Sequence, residues 1–168
     1  RVLQIGKYYP PHMGGIETHL ETLCAELAKE VDVSLVVAAD NGFSSTECVD
    51  GIPVKRAATV LCVAGAPVCL SMIQDIAQSD ADIVHVLWPN PPGILAALAA
   101  RSRAKLVITY HSDIVRQQVL GKAFAPVLRL VLNRCDAILA TSPNYVASSP
   151  VLQSYRDRCR VIPYGIQY

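Results

Sequence analysis

Short apolar runs that do not alternate with polar residues are what most limits how this chain can fold. VLQIG (2–6), DVSLVVAA (32–39), DIVHVLW (82–88), KLVITYH (105–111), DAILATS (136–142) and CRVIPYG (159–165) are each of strand length and apolar on both sides of the pleat. A strand that buries both faces belongs inside a sheet covered on both sides, which is the habit of parallel sheets. Between 53 and 64, PVKRAA and TVLCVA read either as one strand or as two.

Helical patterns separate these runs, near 14–29, 68–78, 91–101, 114–134 and 143–150. The first is the clearest. Ile16, Leu20, Leu23, Cys24, Leu27 and Ala28 recur at helical spacing, while Glu17, Glu21, Glu26 and Lys29 fall on other faces. Strand–helix alternation predicts the α/β class: a Rossmann-like, doubly wound, mostly parallel sheet with helices on both faces. The 168 residues suffice for one domain with a sizeable core, and no repeat or linker divides them. Arg1 already lies inside a strand pattern, so a short preceding piece is expected, and no signal peptide is visible.

One segment tests that reading. Ala57 to Gln74 carries no charge for 18 residues, which is long enough to span a membrane. Gly65 and Pro67 interrupt it, beside Thr59, Ser71 and Gln74, so strand, turn and helix are predicted instead. The net charge of +1 gives no general electrostatic case for nucleic acid or an anionic membrane. Six cysteines without a C-x-x-C pair or a Cys/His cluster predict reduced core thiols and no metal site, in keeping with a cytoplasmic enzyme.

In such sheets ligands bind beyond the carboxyl ends of the strands, where successive connections diverge. Unusual residues gather there: Tyr8, Tyr9, His12 and Gly14-Gly15 after the first run, Trp88-Pro89-Asn90 after another, then His111-Ser112-Asp113 and Ser142. The Gly-Gly pair precedes a helix, whose free N–H groups and dipole suit a phosphate. It equally suits a tight capping turn, and it matches neither G-x-G-x-x-G nor the P-loop. His111 can serve as a base, a sugar partner or a ligand, or merely sit beside a cap made by Ser112 or Asp113. Trp88 on a proline-stiffened loop can stack on a sugar or fill the space under a helix. His85, in mid-strand, reads as a core histidine, and His19 as part of a solvated helix face. No Ser–His–Asp triad is readable, since neither Ser112 nor Ser142 lies in a G-x-S-x-G elbow.

Taken together, YYPPHMGGIETH, DIVHVLWPNPPG, TYHSDIV and VIPYGI, in this order, resemble the N-terminal domain of retaining glycosyltransferases of family 4, also called glycosyl transferases group 1. The resemblance covers essentially the whole chain and implies half of a GT-B fold. It implies that 1–168 is one acceptor-side domain, that a C-terminal donor-binding domain lies outside this chain, and that the chain alone is inactive. It implies donor contacts at Gly14, Gly15, His111 and Asp113, with His111 the catalytic residue beside the transferred sugar. Tyr9, His12, Trp88 and Asn90 are expected to shape the acceptor side. The expected partners are a nucleotide-sugar donor, a sugar, lipid-linked or small-molecule acceptor, and the protein's own C-terminal domain; peripheral membrane contact is compatible with the family's lipid-linked acceptors, but no basic amphipathic helix in this chain supports it. No cofactor or metal is implied. Leu87 and Gln167 depart from the family pattern, which often has His and Asp there. A stand-alone nucleotide- or phosphosugar-binding module and a sugar-nucleotide epimerase are the other readings.

Overall fold

The computed structural model describes residues 1–40, 42–113 and 118–164, with the backbone alone at 118–120 and 122. Strands β1 (Val2–Ile5), β2 (Val33–Ala38), β3 (Ser45–Val49), β4 (Ile52–Ala57), β7 (Ile83–Trp88), β8 (Lys105–Tyr110), β9 (Ala137–Ala140) and β10 (Cys159–Val161) form one sheet. Its order is β10-β9-β8-β7-β1-β2-β4-β3, and every pairing is parallel except β3 on β4. A second, two-stranded sheet is the antiparallel hairpin of β5 (Leu61–Val63) and β6 (Ala66–Val68).

The helices are α1 (Gly15–Leu27), α2 (Ser71–Ala77), α3 (Pro91–Ala100), α4 (Gln118–Arg134) and α5 (Pro143–Ser148), with a 3₁₀ helix at Leu152–Arg158. Side-chain alternation splits the core into two layers. Leu3, Ile5, Val84, Val86, Trp88, Ile108 and Ile138 pack with α2 to α5 on one face. Leu35, Val37, Val54 and Leu87 pack with Leu20 and Cys24 of α1 on the other. The chain leaves β1 toward β2 on one side and later returns to β7 on the other. The topological switch point therefore lies between β1 and β7.

The uncharged 57–74 stretch is the end of β4, the hairpin and α2. No helix of the described residues is long and apolar enough to cross a membrane. The ambiguous 53–64 region is thus two strands in different sheets. The helix expected over 68–78 begins only at Ser71, because β6 occupies 66–68. The starts of the 114–134 helix and of the TYHSDIV tail, and residues 165–168 with Gln167, lie outside the described residues.

Candidate functional site

At the end of β1, Gly6 is needed for close approach: a Cβ there would meet Leu20 Cδ2 of α1 at 2.4 Å. The chain then runs through the Tyr-Pro-Pro loop, with a cis Pro10-Pro11 bond. Tyr9 is buried to 2% exposure in the layer under α1, and this burial pushes its hydroxyl up to about 12. The Arg56 guanidinium donates to the Tyr9 and Pro10 carbonyls and pairs with Glu47, which staples the loop to β4 and β3. His12 stacks on Tyr8 with centroids 4.2 Å apart and faces Asp40, with 3.3 Å between Nδ1 and Oδ1.

Gly14 is the N-cap of α1 in an extended conformation open to any residue, with no side-chain cap. What distinguishes the pair is space. A Cβ on Gly14 would meet the Glu17 carboxylate, and one on Gly15 would meet nothing within 4 Å. The 13-residue helix α1 thus begins at an exposed Gly15, with the Glu17 carboxylate beside Gly14, at a dipole's positive end.

His111 follows β8, its N–H donating to the Trp88 carbonyl at 3.0 Å. The Tyr164 hydroxyl bonds its Nδ1, while its Nε2 is buried without a hydrogen-bond partner. His19, one helical turn after Gly15, stands edge-on to His111 at 5.1 Å, and Tyr164 tilts over His19 at 4.3 Å. Burial first, and then the nearby His19, push the His111 imidazole down to about 4, so it is neutral near neutral pH. When Tyr164 donates to Nδ1, Nε2 carries the proton and is an unspent donor. Such an orphan at a strand's carboxyl end is unfavourable unless a water or a ligand satisfies it.

Several expected contacts are displaced. Trp88 is 1% exposed and stacks on Phe124 at 5.7 Å under α4, so it offers no face to an acceptor. Tyr9 is equally withdrawn. Each fills a core layer, Trp88 on the α2 to α5 face and Tyr9 under α1, because burying a large ring outweighs leaving it in water. Asn90 is 5% exposed and caps α3 through Oδ1, accepting from Gly93 N–H at 3.1 Å. Asp113 accepts from the Tyr110, Tyr145 and Ser149 hydroxyls at 2.8, 3.1 and 3.1 Å. It is first a clamp between the end of β8 and α5.

His19 is a correction in the other direction. It is no solvated residue but half-buried, and burial lowers its pKa. Its partner is remote in sequence, so only the fold reveals it. His85 is buried, with Nε2 2.7 Å from Thr109 Oγ1, as a core histidine should be. All six cysteines are free thiols; Cys24, Cys69 and Cys135 are buried, whereas Cys48 and Cys62 are exposed rather than core.

With this geometry in view, likeness to known proteins becomes informative. Residues 13–167 match the profile of Glycosyltransferase Family 4. The chain belongs to glycosyltransferase family 4. It is 36% identical over 173 residues to O-antigen chain mannosyltransferase C of Escherichia coli, covering 99% of this chain and 46% of that protein. It is 34% identical over 170 residues to D-rhamnosyltransferase WbpZ of Pseudomonas aeruginosa, covering 99% and 45%. The chain therefore spans a little under half the length of these curated relatives. Sucrose-phosphate synthase from Thermosynechococcus elongatus superposes with a TM-score of 0.71 at 16% identity, over 99% of this chain and 48% of that one, which bears on fold alone.

The fold is the one that the resemblance to family 4 implied. In this family member the switch point brings α1 and the His111 loop together, with His19 as the bridge. His12 lies with Tyr8 and Asp40, and Asn90 and Asp113 lie on the α3 and α5 side.

Proposed function

We propose that this chain forms the acceptor-side half of a retaining glycosyltransferase that moves a manno-configured sugar from a nucleotide-sugar donor to a saccharide acceptor. Family membership supports the transferase class. The two relatives are named a mannosyltransferase and a D-rhamnosyltransferase. D-rhamnose is 6-deoxy-D-mannose, so one sugar configuration accounts for both names. The observation that carries the reading is the buried, unpartnered Nε2 of His111, whose ring meets His19 of α1 one turn after Gly15.

In the reaction the bond between the anomeric carbon and the diphosphate oxygen breaks. The acceptor oxygen bonds to the same face of that carbon, and its proton leaves on the diphosphate. Positioning and stabilisation of the leaving charge supply the acceleration. The N–H groups at Gly14 and Gly15 approach the diphosphate, and neutral His111 donates to the transferred sugar without adding charge beside the developing cation. Asp113 acts on this site through the loop it clamps. His12 and Asn90 border the acceptor side, and Tyr9 and Trp88 hold its loops from the two core layers.

A second domain beyond these residues holds most of the donor through basic side chains, without a metal, in a cytoplasmic protein. The test is sugar transfer by the protein carrying that domain. His111→Ala lowers turnover by about tenfold or more, and unchanged turnover contradicts the assignment.

A further inference from the structure

His111 is held from a second direction besides α1. After the edge strand β10 the chain turns back across the carboxyl end of the sheet, where the Ile162 N–H donates to the Ala140 carbonyl of β9 at 2.9 Å. Two residues later Tyr164 reaches His111, just past β8, and its hydroxyl bonds Nδ1. The Tyr164 ring lies 5.2 Å from that of His111 and 4.3 Å from that of His19. With His19 and His111 5.1 Å apart, each of the three rings meets the other two. Strands β8 and β10 and helix α1 thus converge on one imidazole.

A neutral imidazole carries one N–H and one bare nitrogen, and the hydrogen bond made at one nitrogen decides the role of the other. Between a phenol and a neutral imidazole, the phenol is the stronger acid and the bare ring nitrogen the stronger base. The Tyr164 hydroxyl is therefore the donor and Nδ1 the acceptor. Burial pushes this hydroxyl up to about 12, so it keeps its proton across the neutral range. The imidazole N–H then falls on Nε2, the atom that is buried with no hydrogen-bond partner. In the opposite tautomer Nε2 would be bare and could only accept.

We propose that Tyr164 is a positioning residue whose hydroxyl locks His111 in the tautomer that carries its proton on Nε2, which keeps that atom a donor. The tautomer rests on the geometry alone. Its value for transfer rests on the proposed function, in which Nε2 donates to the sugar.

Nitrogen NMR of the protein carrying the proposed second domain, made with isotope-labelled histidine, reads the tautomer directly. A protonated and a bare ring nitrogen differ widely in chemical shift, and the signals missing from His111→Ala assign the residue. Wild type is expected to show His111 protonated on Nε2. Tyr164→Phe keeps a ring against His19 and His111 and removes only the hydroxyl. Its melt should hold, while the two nitrogen shifts of His111 move toward each other. Turnover should fall about tenfold with KM for the donor nearly unchanged. A wild-type His111 protonated on Nδ1, or a tautomer that Tyr164→Phe leaves in place, overturns the proposal; if His111→Ala still abolishes transfer, the function stands without it. Full turnover in Tyr164→Phe beside an inactive His111→Ala overturns the positioning role. Shifts that move as expected, with transfer indifferent to both substitutions, sustain the tautomer lock and overturn the function.

Discussion

The imidazole of His19 stands edge-on to that of His111, with ring centroids 5.1 Å apart. Through this contact the helix that begins at the Gly-Gly pair bears directly on the residue at the end of β8. Two loops distant in sequence become one site. His19 is therefore a positioning residue, and after burial it is the second cause that holds its neighbour's pKa down.

Replacing His19 with Ala removes a neighbouring positive charge and opens a path for water. Both changes favour the protonated form of His111, so its pKa rises from about 4 toward the ordinary histidine value. Imidazole NMR titration of wild type and His19→Ala reads this directly. An unmoved titration would mean that His19 does not govern the His111 environment.

Stability should fall on acidification. Burial pushes both His85 and His111 down to about 4, from 6.5 in the unfolded chain. Between those values the folded state binds fewer protons than the unfolded one, so stability is full above about 6.5 and drops as pH falls toward 4. Urea midpoints at about pH 7.5 and about pH 5 measure the difference. His85→Gln keeps a polar partner for Thr109 and removes one titrating site, so its midpoints should differ less. An unchanged difference would exclude His85 as a source of the slope.

Asp113 separates a clamp from a ligand contact. Its carboxylate accepts from three hydroxyls, and hydrogen bonds to charged groups contribute about 1.5–3 kcal/mol each before relaxation. Asp113→Ala should destabilise the fold by about 2 kcal/mol in denaturant unfolding. Full stability with lost donor affinity would assign it to direct binding instead.

Gly15 gives the opposite signature. With nothing within 4 Å of its Cβ position, Gly15→Leu should leave the melting temperature nearly unchanged. Turnover should fall about tenfold or more, because the side chain fills the space proposed for the diphosphate. A variant that melts normally and turns over normally removes α1 from the donor site.

The unalternating apolar runs made the parallel sheet legible, and their carboxyl ends located the candidate site. The polar edge strand β3 was missed because STECV carries no apolar run and lies exposed. Its signal was Asp50-Gly51, both at positive φ, the pair a two-residue hairpin favours. Ala64-Gly65 does the same between β5 and β6, where an unbroken apolar composition hid the turn. The roles of Trp88 and His19 were exchanged for a different reason. Whether a ring packs or faces a cleft depends on residues far away in sequence, here Phe124 for one and His111 for the other.

The most direct measurement is the anomeric configuration of the product. The protein carrying the proposed second domain is given a manno-configured nucleotide sugar and a saccharide acceptor, with a chelator present, and the new linkage is read by NMR. The account predicts transfer with the donor's configuration retained, undiminished by the chelator and lost in His111→Ala. An inverted linkage, or transfer that His111→Ala leaves intact, would contradict it.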